Sequence, residues 1–238
     1  MWHELLTRVG RRLRLIPPAK SYAEMSNKEV FSHIYQEGVW GAPGQAGARY
    51  FSGSGSHDPQ IVGPYVAAVS AFLRGLENPP DVIDLGCGDF NVGAQIRPLC
   101  GNYIACDIVD ELIQFNRIHF AAAGVNFRVL DLTIDALPSA EVLFVRQVLQ
   151  HLSNADILAV VPQIRAKIKF LVLTEHLPAN LDFVPNIDKP RGHEVRIRVD
   201  SGVVLTAPPF NLQPISETVL CEVPEMGGRV RTTLYRMA

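Results

Sequence analysis

The sequence predicts an α/β domain built on a doubly wound, mostly parallel sheet of seven strands with an antiparallel last strand. Three observations carry that expectation. From residue 59 to residue 174, strand-length apolar runs alternate with amphipathic stretches of helical length, the rhythm of a parallel sheet with helices on both faces. The first of these runs, Val82-Ile83-Asp84-Leu85, stops at Gly86-Cys87-Gly88, where two glycines permit a tight turn and close approach of the backbone to a ligand. At the carboxyl end, residues 218–223 and 229–237 read as two strands joined at Gly227-Gly228, an antiparallel hairpin that closes the sheet.

The chain has 238 residues, 47% of them hydrophobic, and a formal net charge of −2. That length suits one α/β domain with a full core, and the near-neutral charge argues against a surface devoted to nucleic acid. Four cysteines, Cys87, Cys100, Cys106 and Cys221, form no C-x-x-C pair, so neither a zinc site nor a disulfide framework is expected. No apolar run approaches the roughly 18 residues that span a bilayer, and arginines interrupt the N-terminal apolar residues where a secretory signal would be continuous. The expectation is a cytoplasmic protein.

Residues 1–20 place Trp2, Leu5, Leu6, Val9, Leu13 and Ile16 among Arg8, Arg11, Arg12 and Arg14, a basic amphipathic helix ending before Pro17-Pro18. It is expected to pack on the domain or on a second subunit, with contact to a membrane surface the less favoured alternative. The oligomeric state is left open. Ser26-Asn27-Lys28-Glu29 is a capping box ahead of the apolar residues Val30, Phe31, Ile34 and Tyr35. The Gly-rich loop of residues 37–57 is long for a compact domain, as functional loops are. Its Ser52-Gly53-Ser54-Gly55-Ser56 segment can offer amide and hydroxyl donors to a ligand carboxylate. Asp58 and Pro59 read as the N-cap and first residue of a helix, and Val62, Val66, Val69, Phe72, Leu73 and Leu76 are its buried stripe.

Beyond the glycine turn, residues 91–99 predict a short helix. Residues 102–107 form a second strand ending in Asp107, which lies 19 residues past Gly88, the spacing at which an acid reaches a ribose diol. Residues 126–130 form a third strand, followed by Asp131. Asp84, Asp107 and Asp131 therefore stand at three consecutive strand ends. The fourth strand, residues 141–145, ends at Arg146. After it come His151, a second capping box at Ser153–Asp156, and a helix through Ile168 that Pro162 should kink. The fifth strand, residues 170–174, carries Glu175 and His176 at its tip. The rhythm then breaks in a Pro-rich insertion, residues 177–213, where Val195 to Val199 alternate as a half-exposed strand would.

These residues resemble class I S-adenosylmethionine-dependent methyltransferases, and in particular a group of bacterial members whose acceptor is unassigned. The likeness rests on Asp84-x-Gly86-x-Gly88 and on Phe31, Ile34, Tyr35, Trp40 and Gly41. It extends to Ser52-Gly53-x-Gly55-Ser56, Gly88-Asp89-Phe90-Asn91 and Pro208-Pro209-Phe210-Asn211. It covers most of the chain from about residue 27 and implies a Rossmann-like methyltransferase fold, with residues 21–238 as the domain, and S-adenosyl-L-methionine as cofactor. Loops 37–57 and 177–213, long Gly- or Pro-rich insertions in an otherwise regular domain, are expected to form a substrate cap. Asp84, Gly86, Cys87 and Gly88 would line the methionine part, with Ser54, Gly55 and Arg146 beside it. Asp107 and Ile108 would meet the ribose, and Asp131 and Leu132 the adenine. A dinucleotide fingerprint would need a third glycine where Asn91 stands. Arg146 to His151 lack the (Asp/Asn)-Pro-Pro-(Tyr/Phe) pattern of many enzymes that methylate bases.

Methyl transfer needs an acceptor aligned with the sulfur, and a hydroxyl or ammonium acceptor also needs a base near neutral pH. His151, Glu175, His176 and His193 are the candidates nearest the strand tips, with His151 foremost. No metal site is expected. The reading is methyl transfer to oxygen or nitrogen of a small-molecule or glycan acceptor. A non-catalytic cofactor-binding sensor or scaffold is the alternative, and a nicotinamide-dependent enzyme a more distant one.

Overall fold

The structure is a computed structural model that describes residues 21–44 and 47–238. The expected helix of residues 1–20 lies outside the described residues. Seven strands form one sheet in the order β3-β2-β1-β4-β5-β7-β6: β1 (Val82–Leu85), β2 (Tyr103–Asp107), β3 (Asn126–Val129), β4 (Ala140–Arg146), β5 (Ile168–Pro178), β6 (Ser216–Glu225) and β7 (Gly228–Arg236). Strands β1 to β5 are mutually parallel, and β7 runs antiparallel to both β5 and β6. The strand order reverses at β1, between β2 and β4. Open α/β sheets bind ligands in the crevice at such a point.

Alternation along the strands divides the interior in two. Ile83, Leu85, Leu143, Val145, Leu171 and Leu173 face helix α5 (Asn154–Lys167), where Ile157, Val160, Val161 and Ile164 meet them. Val82, Val142, Phe144 and Val172 face helix α2 (Pro59–Arg74) through Tyr65, Val69 and Leu73. Side chains two apart share a face, so Asp84 and Arg146 belong to the α2 side and Glu175 to the α5 side. Helix α4 (Asp110–His119), after the short α3 (Gly93–Ile96), buries Leu112 and Ile113 and covers β2 and β3.

The helix starts follow their local chemistry. At α1 (Asn27–Gln36) the Ser26 hydroxyl accepts from the Glu29 amide at 3.2 Å while the Glu29 carboxylate accepts from the Ser26 amide at 2.8 Å. Ser153 and Asp156 repeat the box at α5, and the Asp58 carboxylate caps α2 by accepting from Gln60 N at 2.8 Å. Helix α5 continues unbroken through Pro162.

Two local expectations need correction. The alternating stretch at Val195 is not a strand, because Arg196–Val199 is a 3-10 turn. A strand needs a partner, and the free edge of β5 is taken by β7. Arg196 instead turns fully inward, its guanidinium donating to the carbonyls of Ile187 and, at 2.7 Å, Leu152. The hairpin turn falls on Met226-Gly227, both at positive φ, while Gly228 already pairs with Glu225. The insertion after β5 joins the α5-side core through Val203, Leu205, Phe210 and Leu212. It is ordered by buried Asn186, which donates to the carbonyls of Val204 and Pro208 at 2.9 Å. Among the described residues no helix is long and apolar enough to cross a membrane.

Candidate active site

A cavity of about 440 Å³ opens at the carboxyl ends of β1, β2, β4 and β5, within the range of small-molecule sites. Its floor is the β1 turn. Gly86 and Gly88 have φ of 76° and 54°, and each backbone is pressed close to a neighbour. A Cβ on Gly86 would stand 2.4 Å from Val148, and one on Gly88 2.4 Å from the Ser52 hydroxyl. Asp107, at the tip of β2, accepts from the amides of Gly88 and Val109, both at 3.1 Å. Burial pushes its carboxyl up to about 6, with those amides opposing the rise. Each carboxylate oxygen keeps a lone pair for a ligand. Ile108, Asp131 and Leu132 line the wall beside it. The Asp131 carboxylate accepts from the Thr133 amide at 2.9 Å and hydroxyl at 2.6 Å, which fixes that corner.

Asp84 lies elsewhere. It faces a smaller adjoining pocket shared with Gly86, Cys87, Ser56 and Arg146, not the main cavity. Tyr103 donates to it at 3.0 Å, and burial pushes its carboxyl up to about 7. Arg146 bridges the two spaces. Its guanidinium lies 4.9 Å from the Tyr65 ring centroid and donates to the Gly55 carbonyl at 2.6 Å and to the Gln147 amide oxygen at 3.1 Å.

The Gly-rich loop forms a wall. Ser52, Gly53, Ser54, Gly55 and Ser56 all line the cavity, and hydrogen bonds hold the segment to the β1 turn. The Asp89 carboxylate accepts from the Ser52 amide at 2.8 Å and contacts His57 Nε2 at 2.7 Å, while the Ser52 hydroxyl accepts from the Asp89 amide at 2.9 Å. Tyr35 and Ser52 share a hydroxyl bond of 2.8 Å, and Asn91 donates to Ser56 O at 2.7 Å.

The end beyond β4 and β5 holds Trp40, Gln147, Gln150, His151, His176, His193 and Met226. Gln147 sits at φ 54° on the tip of β4, a conformation that non-glycine residues adopt at a cost and that clusters at functional sites. His151 lies 5.2 Å from Trp40 by ring centroids. Burial, and then the positive charge of Lys189, lower its pKa to about 4, so its imidazole is neutral at pH 7. His193 rests edge-on against Tyr22 at 6.0 Å. Glu175 does not reach the cavity. Its carboxyl is 2% exposed on the opposite face of β5, and burial raises it to about 8 against the opposing pull of Arg196.

Among the sequence candidates, Gly86, Cys87, Gly88, Asp107, Ile108, Asp131, Leu132, Arg146, Ser54, Gly55, His151 and His193 line one cavity, whereas Asp84 and Glu175 do not. Sequence reasoning missed Gln147, Gln150 and the Asp89–His57 contact. Trp40 was visible as part of a motif, without a role. Among the described residues no group of histidine, cysteine and carboxylate side chains is arranged to hold a metal.

The strand order, the antiparallel β7 and the crevice at the β1 turn define the fold of class I S-adenosylmethionine-dependent methyltransferases. Solved structures that share it include the N-terminal domain of EvdMO1 with S-adenosylhomocysteine and D-fucose, 16% identical over 92% of this chain and 100% of that one, at TM-score 0.57. Magnesium protoporphyrin IX methyltransferase from Synechocystis PCC 6803 with bound S-adenosylhomocysteine is 12% identical over 90% and 100%, also at 0.57. The N-methyltransferase NodS from Bradyrhizobium japonicum WM9, in complex with the same molecule, is 10% identical over 75% and 88%, at 0.56. No family model and no curated protein sequence matches the chain.

Proposed function

We propose that this protein is an S-adenosylmethionine-dependent methyltransferase whose acceptor is a hydroxyl or amine of a small molecule or glycan. The observation that carries the reading is the convergence of the Gly86–Gly88 turn, Asp107 and Asp131 on one cavity that continues past β4 to an aromatic and histidine-lined end. The residues fit the cofactor. The glycine turn leaves room for the methionine part, Asp107 retains acceptor capacity for the ribose diol, and Asp131, Leu132 and Leu130 offer a half-polar wall to the adenine. Bound there, the cofactor supplies an electrophilic methyl group on a sulfonium. The protein's own task is to hold the acceptor in line, exclude water and receive a proton.

The acceptor end favours a neutral, hydroxylated or amino-bearing molecule. Trp40 offers a flat apolar face, and Gln147 and the neutral ring of His176 offer hydrogen bonds. The cations nearby are engaged, Arg146 with Gly55 and Arg198 with Glu194. The D-fucose in the EvdMO1 domain's crystal gives a sugar of this kind as a reference for size. The Gly-rich loop and residues 193–198 of the insertion form the cap. The test is calorimetric binding of S-adenosylhomocysteine to wild type and Asp107→Ala. Wild type binds, and the variant loses at least tenfold in affinity, roughly 1.4 kcal/mol. Equal affinities reject the pocket. Binding without turnover across an acceptor panel assigns a sensor.

A further inference from the structure

We infer that His176 is the group that takes the proton from the acceptor as the methyl group arrives. The inference rests on the methyltransferase reading and deepens it. His176 stands near the carboxyl end of β5 and lines the cavity. Two contacts immobilise it. Its backbone amide donates to the side-chain oxygen of Gln150 at 3.2 Å, and its Nε2 lies 2.9 Å from the carbonyl oxygen of Glu225. A carbonyl only accepts, so Nε2 carries the hydrogen and Nδ1 carries the lone pair. That Nδ1 has no hydrogen-bond partner among the described residues. It is also not among the sealed, partnerless nitrogens, which include Nδ1 of both His151 and His193. An imidazole on the wall of a ligand cavity, held by a carbonyl at one nitrogen and unpartnered at the other, is an oriented proton acceptor.

The other candidates lack this arrangement. The Oε1 of Gln150 is occupied by the His176 amide, so its NH₂ end faces His151 Nε2, at 3.3 Å, and covers the lone pair there. Glu175 points away from the cavity, and His193 has its Nδ1 sealed. Burial lowers the His176 pKa from 6.5, opposed by the Glu225 carbonyl and carboxylate, so the ring is neutral at pH 7 and able to accept. The step balances: the carbon–sulfur bond breaks as the bond from carbon to the acceptor oxygen or nitrogen forms. The acceptor proton passes to His176 Nδ1 and from there to water.

The test combines three measurements. Calorimetry with S-adenosylhomocysteine on wild type and His176→Gln should give equal affinities, and absence of binding to wild type overturns the methyltransferase reading itself. Long-range ¹H–¹⁵N spectra of histidine-labelled wild type in the same complex should show His176 as the Nε2–H tautomer. A protonated Nδ1 at pH 7 overturns the assignment, whether or not the variant folds. Labelled methyl transfer from S-adenosylmethionine to a panel of hexoses, 6-deoxyhexoses, amino sugars and phenols should fall about 10²–10⁴-fold in His176→Gln. Transfer within threefold of wild type, with cofactor affinity intact, overturns the assignment.

Discussion

Replacing Glu175 by glutamine should make the protein more resistant to alkali. The carboxyl is 2% exposed, and the Arg196 guanidinium, with the nearby backbone amides of Leu149 and Gln150, only partly offsets the burial. Its pKa rises from 4.5 to about 8 on folding. Between those values the folded chain holds a proton that the unfolded chain has lost. Stability therefore falls as pH rises through that window, by about 1.4 kcal/mol per pH unit and on the order of 5 kcal/mol in total. Glutamine matches the protonated carboxyl in shape and cannot ionise. At pH 5 the variant should unfold in urea within about 1 kcal/mol of wild type, and at pH 9 it should be more stable by several kcal/mol. Asp84 and Asp107, also raised by burial, add a slope of the same sign to both proteins and cancel in the difference. Parallel stability curves for the two proteins would refute the reasoning. They would mean that Glu175 is ionised in the fold and paired with Arg196, in which case losing it should cost about 3–5 kcal/mol at every pH above 5.

Gly88→Ala should lower stability by at least about 1–2 kcal/mol, the cost of a left-handed residue, with more from the 2.4 Å approach to the Ser52 hydroxyl; thermal unfolding measures it, and an unchanged midpoint would show that the turn relaxes freely. Affinity for S-adenosylmethionine should weaken as pH falls from 8 to 6, because the cationic ligand favours the ionised forms of Asp84, raised to about 7, and Asp107, raised to about 6. S-adenosylhomocysteine, without the sulfonium, should show a shallower dependence in the same calorimetric titration, and identical slopes would remove those acids from the sulfonium's field. Asp89→Ala deletes the acceptor for Ser52 N and the contact to His57, so amide exchange should quicken in residues 51–57 while β1 and β4 keep their protection. Uniform protection in both regions would show that the loop is held by its other bonds alone.

What was legible in the sequence was what a short window determines. The strand-length runs, the boxes at Ser26 and Ser153 and the acids at the carboxyl ends of β1, β2 and β3 each depend on residues within a few positions of one another, and each is present in the fold. What was hidden depends on partners far along the chain. The stretch from Val195 has a strand's alternation but no edge to join, because residues 228–236 have taken the place beside β5. The positive φ of Gln147 has no signature in its neighbours. Glu175 and His176 are the instructive pair, since nearness to the strand tip recommends both. Along β5, Leu171 and Leu173 lie on the α5 side and Val172 on the α2 side, so counting on in steps of two puts Glu175 on the α5 side with the buried Arg196 and His176 on the α2 side. That parity was present in the sequence. Its meaning required knowing which loops gather around the tip of β5, and the cavity wall there is built from residues as far along the chain as Trp40, Gln150 and Glu225.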